Sequence, residues 1–94
     1  MQSNSFTIQN EVGLHARPAA LFVQTSAKFK SKIKVRNATR GTPFVDAKSI
    51  LSVLGLGVAK GHTIEVTAEG EDEQVALETI AQLIANNFAE SATT

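Results

Sequence analysis

The chain has 94 residues, 43% of them hydrophobic and 19% charged, with nine basic and nine acidic side chains and no cysteine. That length fits one domain with one modest core, burying roughly 60–65% of the surface that the unfolded chain exposes. The composition excludes a disordered tail and a disulfide framework, and zero net charge with no Trp or Tyr argues against a nucleic-acid binder.

Taken in chain order, Ser5–Gln9 alternates polar and apolar residues and predicts a half-buried strand. Asn10–Leu14 contains Gly13 and reads as a loop. Pro18 suits the first turn of a helix, and Ala19, Phe22, Val23 and Ser26 give an amphipathic helix over about 16–29. Lys32–Arg36 alternates strictly, as a strand with one wet, basic face. Asn37–Gly41 is a turn cluster, and Thr42–Val45 is the expected partner strand, placed at an edge by Pro43. Asp46–Leu54 reads as a short helix with Ile50 and Val53 inward, and Gly55, Gly57 and Gly61 as a loop. Thr63–Ala68 alternates again as a strand. Glu71, Asp72 and Glu73 complement the positive end of a last helix whose apolar stripe is Leu77, Ile80, Ala81, Ile84 and Phe88. Ser91–Thr94 is expected to fray.

The order β-α-β-β-α-β-α predicts an α+β sandwich in two layers, with one sheet face left wet. The polar N-terminus lacks a signal-peptide pattern, and Ile50–Ala59 is too short and too interrupted to span a bilayer, so a cytoplasmic protein without membrane insertion is expected. The zero net charge hides a split. Met1–Lys48 carries eight basic and two acidic residues, and the rest of the chain one basic and seven acidic. This is either chance segregation or a positive field for an anion or acidic partner.

The chemistry concentrates in Gly13-Leu14-His15-Ala16-Arg17-Pro18. His15 falls at a loop–helix junction, where backbone N–H groups such as that of Ala16 lack intrahelical partners and form an anion site. Arg17 adds charge-assisted donors for phosphate oxygens, and Pro18 stiffens the turn. The helix dipole disfavours an imidazolium, leaving a neutral nucleophile beside an anion hole, an arrangement suited to phosphoryl transfer. A capping His15 with a solvated Arg17 is the plainer alternative. His62 follows Gly61 at a strand start with no metal-ligand spacing around it, so no metal and no cofactor is expected.

The string from Gly13 to Ala19 resembles the active-site signature of the histidine-containing phosphocarrier (HPr) family of the bacterial phosphoenolpyruvate-dependent sugar phosphotransferase system. Ala47-Lys48-Ser49-Ile50 with Val53-Leu54-Gly55 resembles the family's regulatory-serine segment. Ala59-Lys60-Gly61 and Ala68–Glu73 match as well, so the similarity runs from Phe6 to about Phe88. The resemblance implies an open-faced β-sandwich in which a four-stranded antiparallel sheet carries three helices on one face. It implies one domain over 1–94, and a stoichiometric carrier rather than an enzyme. His15 would accept a phosphoryl group on Nδ1 from the system's first enzyme and pass it to sugar-specific transporter components, assisted by Arg17. Ala20, Gln24, Lys28, Leu51 and Leu54 would form the docking surface, and a monomer is expected.

Ser49 occupies the position that a kinase modifies in some members, while also being a candidate helix cap with Asp46. A serine kinase/phosphorylase and a transcription regulator are partners on that reading. The segment Asn37–Val45 is a few residues longer than in typical members and is read as a hairpin away from His15. Two alternatives stay open: a regulatory interaction module of the same fold, and a small ligand- or RNA-binding α+β module, for which Gly55-Leu56-Gly57 is a weak signal.

Overall fold

A computed structural model describes residues 1–88; the expected frayed end at Ser91–Thr94 lies outside the described residues. The elements are β1 (Gln2–Thr7), α1 (Ala16–Ala27), β2 (Lys32–Asn37), β3 (Val45–Asp46), α2 (Ile50–Leu54), β4 (Thr63–Glu69) and α3 (Glu73–Ala85). They form a four-stranded antiparallel sheet in the order β1-β4-β2-β3, with α1 and α3 packed together over one face. This is the α+β open-faced sandwich expected.

Alternation sets the two faces. Ile33 and Val35 of β2 lie opposite Ala68 and Val66 of β4, and all four are buried beneath Phe22 of α1 and Ile80 of α3. The residues between them point to the wet face, where Lys32 lies opposite Glu69 and Arg36 opposite Glu65. Arg36 Nε donates to Glu65 Oε1 at 2.9 Å, and its guanidinium stands over the Phe44 ring, 5.6 Å from the centroid. Folding therefore lays the acidic β4 between the basic β2 and the uncharged β1, and the charges of β2 and β4 from the two halves of the chain meet on the sheet.

Several boundaries differ from the sequence reading. The first strand runs over Gln2–Thr7 rather than Ser5–Gln9, because Gln2 through Thr7 pair in register with Ala68 through Thr63. Ile8 continues the contact through its N–H, bonded to His62 O at 2.9 Å. β3 has only two residues, since pairing with β2 is limited to Val35–Val45 and Lys34–Asp46. It does lie at the edge. α2 begins at Ile50 rather than Asp46, because Asp46 belongs to β3 and its Oδ1 accepts the Lys48 N–H at 2.9 Å. Val53 is fully buried, whereas Ile50 is exposed rather than inward, 38% accessible.

The acidic run before α3 does stand at that helix's positive end, with Asp72 at the N-cap position and Glu73 in the first turn, but both carboxylates are also engaged elsewhere. Asp72 makes no side-chain cap. Its carboxylate accepts the Lys30 N–H at 2.8 Å, the Ser31 N–H at 3.0 Å and the Ser31 hydroxyl, tying the loop after α1 to the start of α3. The Ser31 hydroxyl, then the backbone donors, hold the Asp72 carboxyl below its ordinary value. Glu73 accepts the Gly70 N–H at 3.1 Å and pairs with the N-terminal amine at 3.3 Å, and its carboxyl is likewise lowered.

Candidate functional site

His15 is the N-cap residue of α1. Its backbone is extended (φ −79°, ψ −169°), and its ring makes no cap hydrogen bond. Capping therefore does not consume the imidazole, which is exposed at the mouth of an open cleft of about 510 Å³. The first helical bond is from the Ala19 N–H to His15 O at 2.8 Å. Pro18 has no N–H, so Ala16 and Arg17 carry the helix-start donors that precede that bond. Arg17 is exposed and makes no ion pair among the described residues. An anion bonded to the His15 ring would meet these two donors and the end of the helix dipole.

The loop before His15 is locked from beneath. Asn10 Nδ2 donates to Gly13 O at 2.7 Å, and the Gly13 N–H donates to Asn10 O at 3.1 Å. The Leu14 N–H donates to Val58 O at 3.0 Å, and the Leu14 side chain is buried. Gly13 has φ +63°, and a Cβ there would run into Val58 O and come within 2.7 Å of Ala59 Cα. Only glycine lets the 10–14 loop lie this close to the 57–60 loop, and that approach fixes where the histidine emerges.

The cleft is lined by Glu11, Val12, Leu14, His15 and Leu54, and by the loop Gly57–Lys60. It brings together His15 and Leu54, two residues expected to act together though 39 positions apart in sequence. Lys60 Nζ lies 3.6 Å from Glu11 Oε1 across it. Arg17, Ala20, Gln24 and Lys28 recur at helical spacing along one side of α1; Ala20 is half-buried and the others are exposed. Leu51, at 79% exposure, stands out from α2, which packs against α1. Ser49 caps α2, its Oγ accepting the Ser52 N–H at 3.4 Å, and it is half-buried. Among the described residues no three His, Cys, Asp or Glu side chains gather as a metal site, and no helix is long and apolar enough to cross a membrane.

Three participants were not visible in the sequence pattern. Asn37, read as the opening of a turn, is fully buried and donates from Nδ2 to Leu56 O and His62 Nδ1, both at 3.1 Å. His62 Nδ1 also accepts the Ala59 N–H at 3.1 Å, so this ring is a structural acceptor that shapes the cleft loop. Arg40, from the hairpin read as lying away from His15, reaches that loop: its Nη1 donates to Leu56 O at 3.4 Å, beside cleft-lining Gly57. A buried asparagine and a cross-hairpin arginine leave no periodic signature in the sequence.

A family model described as "PTS HPr component phosphorylation site" matches residues 2–86. A phosphocarrier protein HPr of Treponema pallidum is 43% identical over 83 residues, covering 88% of this chain and 91% of that protein. A multiphosphoryl transfer protein of Haemophilus influenzae is 47% identical over 87 residues, covering 93% of this chain. The chain spans only 17% of that protein's length and 24% of its counterpart in Salmonella typhimurium. Among solved structures, an HPr from Thermoanaerobacter tengcongensis superposes with a TM-score of 0.89 at 44% identity, covering 96% of this chain and 98% of that one.

Proposed function

The chain belongs to the PTS-HPr family, and from that premise we propose that it is a phosphocarrier of a phosphoenolpyruvate-dependent sugar phosphotransferase system, with His15 as the carrier residue. The observation that carries this reading is the ring of His15: exposed at the cleft and unused as a cap, at the start of a helix with donors to spare.

A ring nitrogen of His15 attacks the phosphorus of a phosphohistidine on the first enzyme. One N–P bond forms as the other breaks, and no water is needed. The Ala16 and Arg17 N–H groups and the Arg17 guanidinium stabilise the charge on the transferring oxygens. The same groups then hold the phosphoryl group until a sugar-specific transporter component takes it. Such a molecule acts stoichiometrically between partners in the cytoplasm, as a single carrier domain working as a monomer, and is not a free-standing enzyme.

The exposed leucines Leu51 and Leu54, with Ala20, Gln24 and Lys28, supply the docking surface. Ser49, at the base of the same patch, is a regulatory modification point in this reading: a phosphate there adds negative charge where an acidic partner docks. A Ser49→Asp variant is expected to raise the KM for transfer, and an unchanged KM would remove that role. The main test is reversible transfer. With phosphoenolpyruvate and a first enzyme the wild type should take up one acid-labile phosphoryl group and return it to the dephosphorylated enzyme. Uptake without return, or no uptake, refutes the carrier role.

A further inference from the structure

Arg40 lies in the connection between β2 and β3, but its side chain leaves the sheet. Its backbone N–H donates to Asn37 Oδ1 at 3.2 Å, which anchors the turn. Its guanidinium crosses to the loop after α2, where Nη1 fills the space that a Cβ on Gly57 would need. Gly57 has φ +62° and lines the His15 cleft. Two independent requirements therefore converge on this glycine: a left-handed backbone and room for a cation behind it.

The cation itself is uncompensated. Among the described residues Arg40 forms no ion pair, whereas Lys60, on the same loop, is paired with Glu11. Its bond to Leu56 O is long and shares that acceptor with Asn37 Nδ2, so it is a weak tether. The residue is exposed, and its remaining donors form a planar fork suited to a carboxylate.

We propose that Arg40 is a docking cation that receives a carboxylate side chain of the protein exchanging its phosphoryl group with His15, making the β2–β3 connection an element of partner choice. The inference rests on the phosphocarrier reading above and adds no covalent step. Arg40 acts on encounter and on the stability of the complex, while N–P bond exchange stays with His15 and the α1 terminus.

The test measures transfer from the phosphorylated first enzyme to the full chain as wild type, Arg40→Lys and Arg40→Gln, across ionic strength. Gln keeps an N–H donor for the Leu56 carbonyl but removes the charge. At low salt R40Q should raise KM about 2–5-fold with kcat unchanged, while R40K, which keeps the charge but loses the fork, should show a smaller rise. The R40Q defect should fade as the screening length shortens from about 30 Å at 0.01 M salt to about 8 Å at 0.15 M. Equal KM for R40Q and wild type at low salt overturns the proposal. So does a fall in kcat, which would place Arg40 on the phosphoryl group itself. An equal defect in R40K and R40Q, insensitive to salt, also overturns it, leaving a structural tether. Absence of phosphorylation on the wild type defeats the carrier reading and this proposal together, whereas a phosphorylated wild type with an indifferent R40Q defeats this proposal alone.

Discussion

Replacing Gly13 with alanine tests the claim that a close approach of two loops presents His15. Gly13 is in the left-handed region at φ +63°, where an L-residue costs about 1–2 kcal/mol. Its new Cβ would also meet the Val58 carbonyl oxygen and approach Ala59 Cα to 2.7 Å, both backbone atoms that cannot rotate away. Relieving such a clash by backbone shifts costs about a further 1–3 kcal/mol. Gly13→Ala should therefore lose about 2–5 kcal/mol in urea unfolding read by linear extrapolation. Gly41 is the internal control, with nearly the same φ, +69°, and nothing within 4 Å of the place a Cβ would take. Gly41→Ala should lose only the conformational cost, about 1–2 kcal/mol. The clash also predicts that G13A slows phosphoryl transfer to His15 while G41A does not, because only the first displaces the Leu14–Val58 bond. A G13A loss no greater than that of G41A would refute the reasoning.

Other expectations follow from single contacts. The lowered Asp72 carboxyl stabilises the fold above its unfolded value near about pH 4, and that contribution is lost as pH falls through the lower folded value. The urea midpoint of Asp72→Asn should therefore depend less on pH than the wild type across that acid limb, and parallel curves would contradict it. Asn37→Ala leaves the Leu56 carbonyl only the long Arg40 contact and removes a donor to His62 Nδ1, and should cost about 1–3 kcal/mol in the same unfolding assay, with a loss below experimental error counting against the network. Leu51→Ala, at a side chain 79% exposed, should change stability by no more than about 0.5 kcal/mol while raising the KM for transfer; an unchanged KM would remove Leu51 from the docking surface.

What the sequence revealed was local. The string around His15 is legible because a loop glycine, a helix-start proline and the apolar repeat from Ala19 to Ser26 all act within a few turns of chain. The sheet is legible because alternation in Lys32–Arg36 and Thr63–Ala68 separates a buried from a wet face. What stayed hidden depends on partners distant in sequence. β3 shrinks to two residues because its length is set by pairing with β2, and Asp46, a candidate helix cap, is drawn into that strand. Asn37 looks like any turn asparagine until the fold brings Leu56 O and His62 within reach. Asp72 looks like a dipole-complementing acid until the loop at Lys30–Ser31 closes on it. The charge split along the chain was real, and the sheet accounts for part of it, since Lys32 and Arg36 face Glu69 and Glu65.

The most direct measurement is the site and chemistry of the phosphoryl group on the full chain. After incubation with phosphoenolpyruvate and a first enzyme, phosphorus NMR at neutral pH should show one phosphohistidine resonance that disappears on brief acid treatment. It should be absent from His15→Ala, whose exposed, uncapped site predicts an otherwise native fold. A phosphohistidine signal that persists in the His15→Ala protein would contradict the assignment of His15 as the carrier.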